Sequence, residues 1–283
     1  VEEAEKLLRG VKPTTWMNLA VCDPKGGAVF VRVNARGNQD LKPEESTNYN
    51  FGVIWQPTDY LDMRIDYWRF DYEDVITVEN AQGKVINDLN GEDIIRVAGP
   101  NSQLAGINVN YINAATVDTD GLDIAASYVH DTSSAGSFGV SLEATHFLSY
   151  EIPDPQGGTR DVVGLFNHDN FARSIPETKL NLSMDWNLGN HSAAAIAYWV
   201  DDYKTTREVP PGESASIDSW TTLDLQYSYN LQFSDSEAVI ALGAKNVFDE
   251  EPPRVYDGVN FSYDPKHHDP RGRMYYLRLK YAF

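Results

Sequence analysis

The stretch Ser46-Thr47-Asn48-Tyr49-Asn50-Phe51-Gly52-Val53-Ile54-Trp55 decides the fold class. Thr47, Tyr49, Phe51, Val53 and Trp55 alternate with Ser46, Asn48, Asn50 and Gly52. Successive side chains of a strand leave on opposite faces, so this spacing makes one apolar and one polar face. A short turn, Gln56-Pro57-Thr58-Asp59, leads into Leu61, Met63, Ile65 and Tyr67, which alternate with Asp62, Arg64 and Asp66. Over residues 68–72 the phase becomes unclear, as at a bulge or a membrane exit.

Working outward, the same unit recurs. Leu122, Ile124, Ala126 and Tyr128 alternate with Asp123 and Ser127, and Phe138, Val140, Leu142 and Ala144 follow after a polar link at 131–136. Leu180, Leu182, Met184 and Trp186 alternate with Lys179, Asn181, Ser183 and Asp185, and a turn at Leu188-Gly189-Asn190 opens an Ala-rich strand of weak phase over 192–200. Leu223, Leu225, Tyr227 and Tyr229 are followed, after a link at 234–237, by Ile240, Leu242 and Ala244. The chain closes on Tyr275, Leu277, Leu279, Tyr281 and Phe283, set against Tyr276, Arg278 and Lys280. Residues 28–33 read as a further strand and residues 2–9 as a short amphipathic helix.

Short and long connections alternate along the chain. In an up-and-down barrel this collects the turns at one end and the long loops at the other. Aromatics on the apolar face sit beside the short turns: Trp55, Tyr128, Trp186, Tyr227, Tyr229, Tyr281 and Phe283. Amphipathic rings gathered at one level suit a membrane–water interface. The opposite face carries Asp62, Arg64, Asp66, Lys179, Asp185, Asp224, Arg278 and Lys280, which need a wet interior. The predicted fold is therefore all-β, an antiparallel transmembrane β-barrel with short periplasmic turns and long extracellular loops. A soluble β-sandwich also alternates, but its packed core gives no reason for Tyr and Trp to gather beside one set of turns.

Composition agrees with this reading. The 283 residues carry a net charge of −19, which disfavours a nucleic-acid partner because nothing neutralises phosphates. Hydrophobic residues make up 42% and aromatics 12%, too rich for a disordered acidic tail. No apolar run is long enough for a membrane helix, whereas a membrane strand needs only about ten alternating residues. The single Cys22 excludes an intrachain disulfide. Residues 1–10 lack a Met and the layout of a signal peptide and read as a chain already in progress.

Five segments resemble one family. Gly37-Asn38-Gln39-Asp40-Leu41-Lys42-Pro43-Glu44-Glu45-Ser46 is similar to a "GNPxLKPExS" stretch of TonB-dependent outer-membrane receptors, with Gln39 in place of the usual Pro. Asp66-Tyr67-Trp68 resembles the family's next strand and Gly121-Leu122-Asp123 its "GxD" strand start. Lys245-Asn246-Val247-Phe248-Asp249 with Pro252 resembles "KNLFDxxP", and Asp269-Pro270-Arg271-Gly272-Arg273 before Met274-Tyr275-Tyr276 resembles "DPRGRxYY". Their order and spacing match from about residue 23 onward. The resemblance implies the C-terminal portion of a 22-stranded barrel, with residues 1–40 an extracellular loop and strand and residues 41–283 barrel strands and loops. The family's N-terminal plug domain and TonB box are absent from this stretch.

The resemblance further implies active import of a scarce nutrient (ferric siderophore, cobalamin or oligosaccharide) across the bacterial outer membrane. The TonB–ExbB–ExbD complex would be the energising partner, and lipid, lipopolysaccharide and the outer-membrane assembly machinery would be the surroundings. The last strand, with Tyr275, Leu277, Leu279, Tyr281 and the terminal Phe283, looks like the signal that machinery reads. Ligand contacts are expected in the long loops, from Tyr256, Phe261, Tyr263 and His267 in the last one and from Asn167, His168 and Phe171 in an earlier one, where rings can stack on a sugar or a catecholate. Gly272 is expected to free the backbone where the last loop re-enters the sheet, Asn246 to bond nearby backbone, and Arg271 and Arg273 to pair with carboxylates such as Asp249 or Glu250.

No nucleophile–base pattern points to an enzyme, and no cofactor is expected. Tyr150-Glu151 and Asp201-Asp202 read as solvated loop positions. His267-His268-Asp269 is the nearest approach to a metal cluster, but adjacent side chains on an extended segment point apart, so no metal site is assigned. Two other functions share the strands and girdles: a passive porin or substrate-specific channel, and a surface binding protein anchored by its barrel.

Overall fold

The computed structural model describes residues 18–22, 28–79, 81, 84–85, 88, 90–97, 103–113, 116–154, 158–167, 172–233, 236–256 and 262–282, with side chains from residue 32 on. The strands are β1 (Asn18–Cys22), β2 (Ala28–Arg36), β3 (Glu45–Thr58), β4 (Leu61–Glu73), β5 (Ile76–Val78), β6 (Ile94–Arg96), β7 (Leu104–Asn113), β8 (Val117–Thr132), β9 (Gly136–Pro153) and β10 (Thr159–Asp161). They continue with β11 (Leu165–Phe166), β12 (Ser174–Ile175), β13 (Thr178–Leu188), β14 (His191–Val200), β15 (Tyr203–Thr205), β16 (Ser216–Ile217), β17 (Trp220–Gln232), β18 (Glu237–Lys245) and β19 (Met274–Ala282). The chain divides into two compact units, residues 1–45 with 72–116, and residues 46–71 with 117–283.

In the larger unit the long strands run in the order β19-β18-β17-β14-β13-β9-β8-β4-β3, each beside its predecessor among the long strands, with β10 added to β9. From β8 to β19 these neighbours pair antiparallel. This is the up-and-down meander expected from the alternation. Register carries one face across the sheet. Ala126, Leu142, Leu182, Ala197 and Leu223 form one apolar row, and Tyr128, Val140, Met184, Ala195, Leu225, Ala244 and Tyr275 form the next. The weak phase of β14 is thereby resolved: Ala193, Ala195, Ala197 and Trp199 share the apolar face with their neighbours. The apolar side chains remain outward, Leu242 at 58% and Leu277 at 59% exposure, because a lipid face has no protein to pack on.

The other face is polar and small. Its rows run Ala125, Glu143, Asn181, Tyr198 and Thr222, then Ser127, Ser141, Ser183, Ile196 and Asp224. Glycines let large side chains lean across neighbouring strands. A Cβ at Gly121 would overlap the Trp68 indole, and one at Gly243 the Tyr276 ring. The Tyr276 hydroxyl donates to Gln226 Oε1 (3.0 Å), and Trp68 meets Phe147 edge-on at 5.4 Å. The uncertain phase after Tyr67 has a counterpart here, since the β8–β9 register shifts between Asp120 and Gly121.

Hairpin turns close the strands at one end. Gly189, with φ 57°, occupies the β13–β14 turn, where a left-handed residue lets the strands reverse without splaying. Trp186 Nε1 donates to the Ala135 carbonyl of the neighbouring hairpin (2.7 Å), and His191 Nδ1 lies 2.5 Å from the Tyr227 hydroxyl.

The smaller unit is one sheet, β1-β2-β7-β5 with β6 on β7; β2 and β7 are parallel and the other pairs antiparallel. Val33, Val85, Ile107 and Val109 form its core. Lys84 bridges Glu79 (2.5 Å) and Asp93 (2.6 Å). The long connection between β4 and β7 thus contains the short strands β5 and β6. The proposed strand at 28–33 is present and extends to Arg36; the helix proposed over 2–9 lies outside the described residues.

Within this unit the first family-like segment acts as a clasp. Asn38 Oδ1 accepts the Asp40 N–H (2.9 Å), an Asx turn. Asn113 Oδ1 accepts the Lys42 N–H (2.8 Å) while its Nδ2 donates to the Lys42 carbonyl (3.0 Å), and Glu44 accepts the Ile76 N–H (2.6 Å).

Candidate ligand site at the loop end

Where β14 and β18 end and β17 and β19 begin, the last long loop folds back onto the polar face. Its exit and return are one joint. Asn246, at φ 48°, donates from Nδ2 to the Glu250 carbonyl and accepts the Glu250 N–H on Oδ1, both at 2.9 Å, while its own N–H goes to Asp224 Oδ1 (2.8 Å). Asp249 Oδ1 accepts the Arg273 N–H (2.7 Å). Gly272 sits at φ 65° against that same carboxylate, so a side chain is excluded by both backbone and space. Arg273 also donates to the Val247 carbonyl (3.1 Å), and its guanidinium is 3.8 Å from Asp249. Arg271 pairs with another carboxylate of the same loop. It clamps Asp269, with Nε 2.8 Å from Oδ1, because two residues' separation across the turn puts that carboxylate within reach first. This bond holds the Asp269 carboxyl below the usual carboxylate range.

Asp264 organises the loop's inner turn. Its carbonyl accepts the His268 N–H (3.0 Å) and its Oδ1 the Lys266 N–H (3.0 Å), while Oδ2 accepts the Tyr203 hydroxyl (2.8 Å). Asp264 and Tyr203 are buried, and burial first, then the Asp264 charge, raises the Tyr203 pKa. The turn changes the reading of the two histidines. Because the segment is not extended, both rings reach Tyr203, His268 stacked on it at 6.2 Å and His267 edge-on at 6.4 Å. His267 Nε2 lies 3.3 Å from the Ser174 carbonyl, which only accepts, so Nε2 carries the proton of that bond. Lys266 Nζ donates to the same carbonyl (3.1 Å). Beneath this lies a core of Val200, Tyr203, Ile217 and Val255. Burial lowers the pKa of both histidines, His268 to about 4.

A cavity of about 320 Å³ opens here, walled by Tyr198, Trp220, His268, Lys245, Asp224 and Met274 among others. Trp220 meets Tyr198 at 6.1 Å and His268 at 5.3 Å, both edge-on. The lining carries Lys245, Lys266 and Arg271 against Asp224 and Asp269, a positive excess in a chain of net charge −19. Both ring nitrogens of His268 and the indole nitrogen of Trp220 are buried without a hydrogen-bond partner among the described residues.

Of the ligand-contact candidates named from the sequence, His267 lines this cavity. Tyr256 is half-buried in the same loop under the Arg254 guanidinium (4.7 Å), and Tyr263 is half-buried nearby in sequence. Asn167 is buried, its Nδ2 donating to the Arg173 carbonyl (2.7 Å), so it braces a turn. Phe261, His168, Phe171 and Phe283 lie outside the described residues. Trp55, Tyr128, Trp186, Tyr227 and Tyr281 stand near the hairpin ends of their strands, and Tyr275, Leu277, Leu279 and Tyr281 form one exposed row on β19. Trp220 and Tyr198 escaped the sequence reading; His268 was read only with His267 and Asp269 as a metal candidate that was not assigned, and Lys245 only as the head of the Lys245–Asp249 motif.

A family model described as TonB dependent receptor-like, beta-barrel, matches residues 13–247. The chain belongs to this family. Members are barrels of the bacterial outer membrane, which sets the apolar face of the sheet against lipid and the long loops outside the cell. Solved structures of TonB-dependent receptors share the fold. A mutant of the ferric enterobactin receptor (PfeA) from Pseudomonas aeruginosa, in complex with enterobactin, is 20% identical with a TM-score of 0.60, over 90% of this chain and 34% of that one. The siderophore receptor PirA from Acinetobacter baumannii is 20% identical with a TM-score of 0.57, over 88% and 33%. The FrpB iron transporter from Neisseria meningitidis is 11% identical with a TM-score of 0.52, over 87% and 32%. The chain therefore spans about a third of the length of these receptors. No curated protein matches the sequence.

Proposed function

We propose that this chain is barrel wall and outer loops of an importer that takes a scarce nutrient across the outer membrane, energised through TonB. The observation that carries the reading is the loop-end cavity: a polar, aromatic-walled recess on the lumen face of a family barrel, at the end that meets the outside. In this reading residues 41–283 supply strands and loops, residues 1–40 an outer loop and strand, and the rest of the parent protein the plug and the segment TonB pulls. Strands β3 and β19 end the sheet, and lipid does not tolerate unpaired edges, so further strands of the parent barrel pair with them. Trp55, Tyr128, Trp186, Tyr227 and Tyr281 anchor the barrel at one interface with lipid and lipopolysaccharide. Tyr275, Leu277, Leu279, Tyr281 and Phe283 are the row that the assembly machinery reads. Siderophores head the candidate nutrients, since PirA is a siderophore receptor and PfeA a ferric enterobactin receptor. The test is nutrient uptake by cells carrying the full-length protein, with and without a proton-motive force. Uptake that stops when the membrane potential is collapsed is expected; undiminished uptake would mean a passive channel.

A further inference from the structure

The three long connections at the loop end of the larger unit, residues 154–177, 201–219 and 246–273, are interlocked. Strands β11 and β12 of the first loop and β15 and β16 of the second form one sheet in the order β12-β11-β15-β16. Its central pair is parallel, with Leu165 beside Lys204 and Phe166 beside Thr205, and it joins loops that the β13–β14 hairpin separates along the chain. The Lys204 N–H donates to the Gly164 carbonyl (2.9 Å) and the Thr206 N–H to the Phe166 carbonyl (3.0 Å). These strands are two or three residues long, and a two-stranded piece is marginal by itself in water, so each half of the sheet depends on the other. The third loop completes the circuit. Its Val255 shares one core with Tyr203 and Ile217 of the second loop and Val200 at the end of β14, and Phe166 of the first loop packs against that core. Tyr203 donates to Asp264 of the third loop (2.8 Å), and Lys266 of the third loop donates to the Ser174 carbonyl of the first (3.1 Å). Every loop is therefore tied directly to both of the others. Withdrawing any one uncovers core side chains that are at most 1% exposed, and it leaves the buried Ser174 or Asp264 short of a bond. Segments joined in this way open as one contiguous unit rather than singly.

We propose that these three loops are a one-piece lid: they open and close together as a single cooperative body, so that displacing any one of them releases the other two. A contact made from outside on one loop then biases all three, through the shared core and the buried bonds rather than through the barrel strands. The inference concerns how the loops move and not what crosses the membrane, so it holds for an energised importer and for a passive channel alike.

Amide hydrogen exchange of the full-length protein in detergent tests this, with one reporter in each loop. The Asn167 N–H donates to the Arg173 carbonyl (2.7 Å), the Thr205 N–H to the Ala215 carbonyl (2.9 Å) and the His268 N–H to the Asp264 carbonyl (3.0 Å). Each reporter bond closes within its own loop, so loops that open separately would exchange at unrelated rates. One common protection factor is expected for the three in the wild-type protein, as for a shared opening. Ile217→Ala in the second loop and Val255→Ala in the third each cut into the core. Each is expected to speed exchange at all three reporters by one common factor, on the order of tenfold or more for Ile217→Ala, while amides in the middle of β13 keep their wild-type rates. Acceleration confined to the loop that carries the substitution overturns the proposal, and so does unequal protection of the three reporters in the wild type. Where a variant does not yield a folded barrel, the wild-type comparison decides alone. Neither a nutrient nor a membrane potential enters the measurement, so its failure leaves the energised-import test standing, and the reverse also holds.

Discussion

At the hairpin end of the larger unit, contacts follow from register. Trp186, paired with Phe138, reaches Ala135 in the adjoining turn, and His191, paired with Tyr229, reaches Tyr227 two residues along the same strand face. At the loop end no ladder dictates the neighbours. Asp264 meets Tyr203, and Lys266 meets Ser174, across loops whose ends are close but whose interiors are long. The first region is a repeating surface held by lipid and backbone pairing; the second is a small local core held by individual buried bonds. The comparison teaches where each kind of substitution does harm: apolar outward positions are sensitive to charge, and loop-end positions to the loss of a single polar atom.

The largest test of this contrast is Leu223→Arg on the lipid face, expected to cost about 2–4 kcal/mol near the midplane, against Asn181→Arg on the polar face, expected to cost well under half of that. Urea unfolding of the full-length protein in bilayers reads both, and equal costs would reverse the assignment of faces. Next is Tyr203→Phe, which leaves buried Asp264 short of a donor and is expected to destabilise the last loop by about 1–3 kcal/mol. Limited proteolysis of residues 249–273 reads it; unchanged cleavage would show that the loop does not depend on this bond.

Acid is the third test. His268 is held neutral in the closed loop, its pKa lowered to about 4 mainly by burial, with Asp264 opposing and His267 adding to the shift. An opened loop takes up the proton at the ordinary value of about 6.5. Closure is therefore at full strength above that pH and weakens as pH falls toward about 4, by at most about tenfold in the closed-to-open ratio per pH unit. Cleavage that is flat from pH 7 to pH 4, or that rises with pH, contradicts this. The smallest effect belongs to the hairpin end. Trp186→Phe removes one N–H bond to Ala135 and is expected to cost about 1 kcal/mol without altering loop cleavage. A change in loop cleavage would couple two ends that register keeps apart.

The legibility of the molecule follows the same divide. Period-two alternation made the long strands of the larger unit visible, since the pleat itself converts spacing into faces, while β7 of the smaller unit went unread. The Ala-rich β14 was the exception: methyl side chains contrast too little with polar neighbours to show a phase, and only pairing with β13 and β17 supplied it. The motifs around Asn246 and Gly272 were visible as separate segments, and a pair between Arg273 and Asp249 was expected between them; that the Arg273 N–H itself closes the joint on Asp249 was not visible. The histidine pair was misjudged by assuming an extended backbone; the turn capped by Asp264 brings both rings to Tyr203.

From residue order alone came the antiparallel meander, the two faces, the ends holding turns and loops, and the family resemblance, because a strand's chemistry is written at intervals of two and a short turn leaves its partner no choice. Tertiary structure alone decided that Tyr198, Trp220, Lys245 and His268 share one cavity and that the 72–116 region forms strands of a separate sheet. Those groupings depend on how long loops fold back in space, and the conformational freedom of a long connection leaves no periodic trace in the sequence.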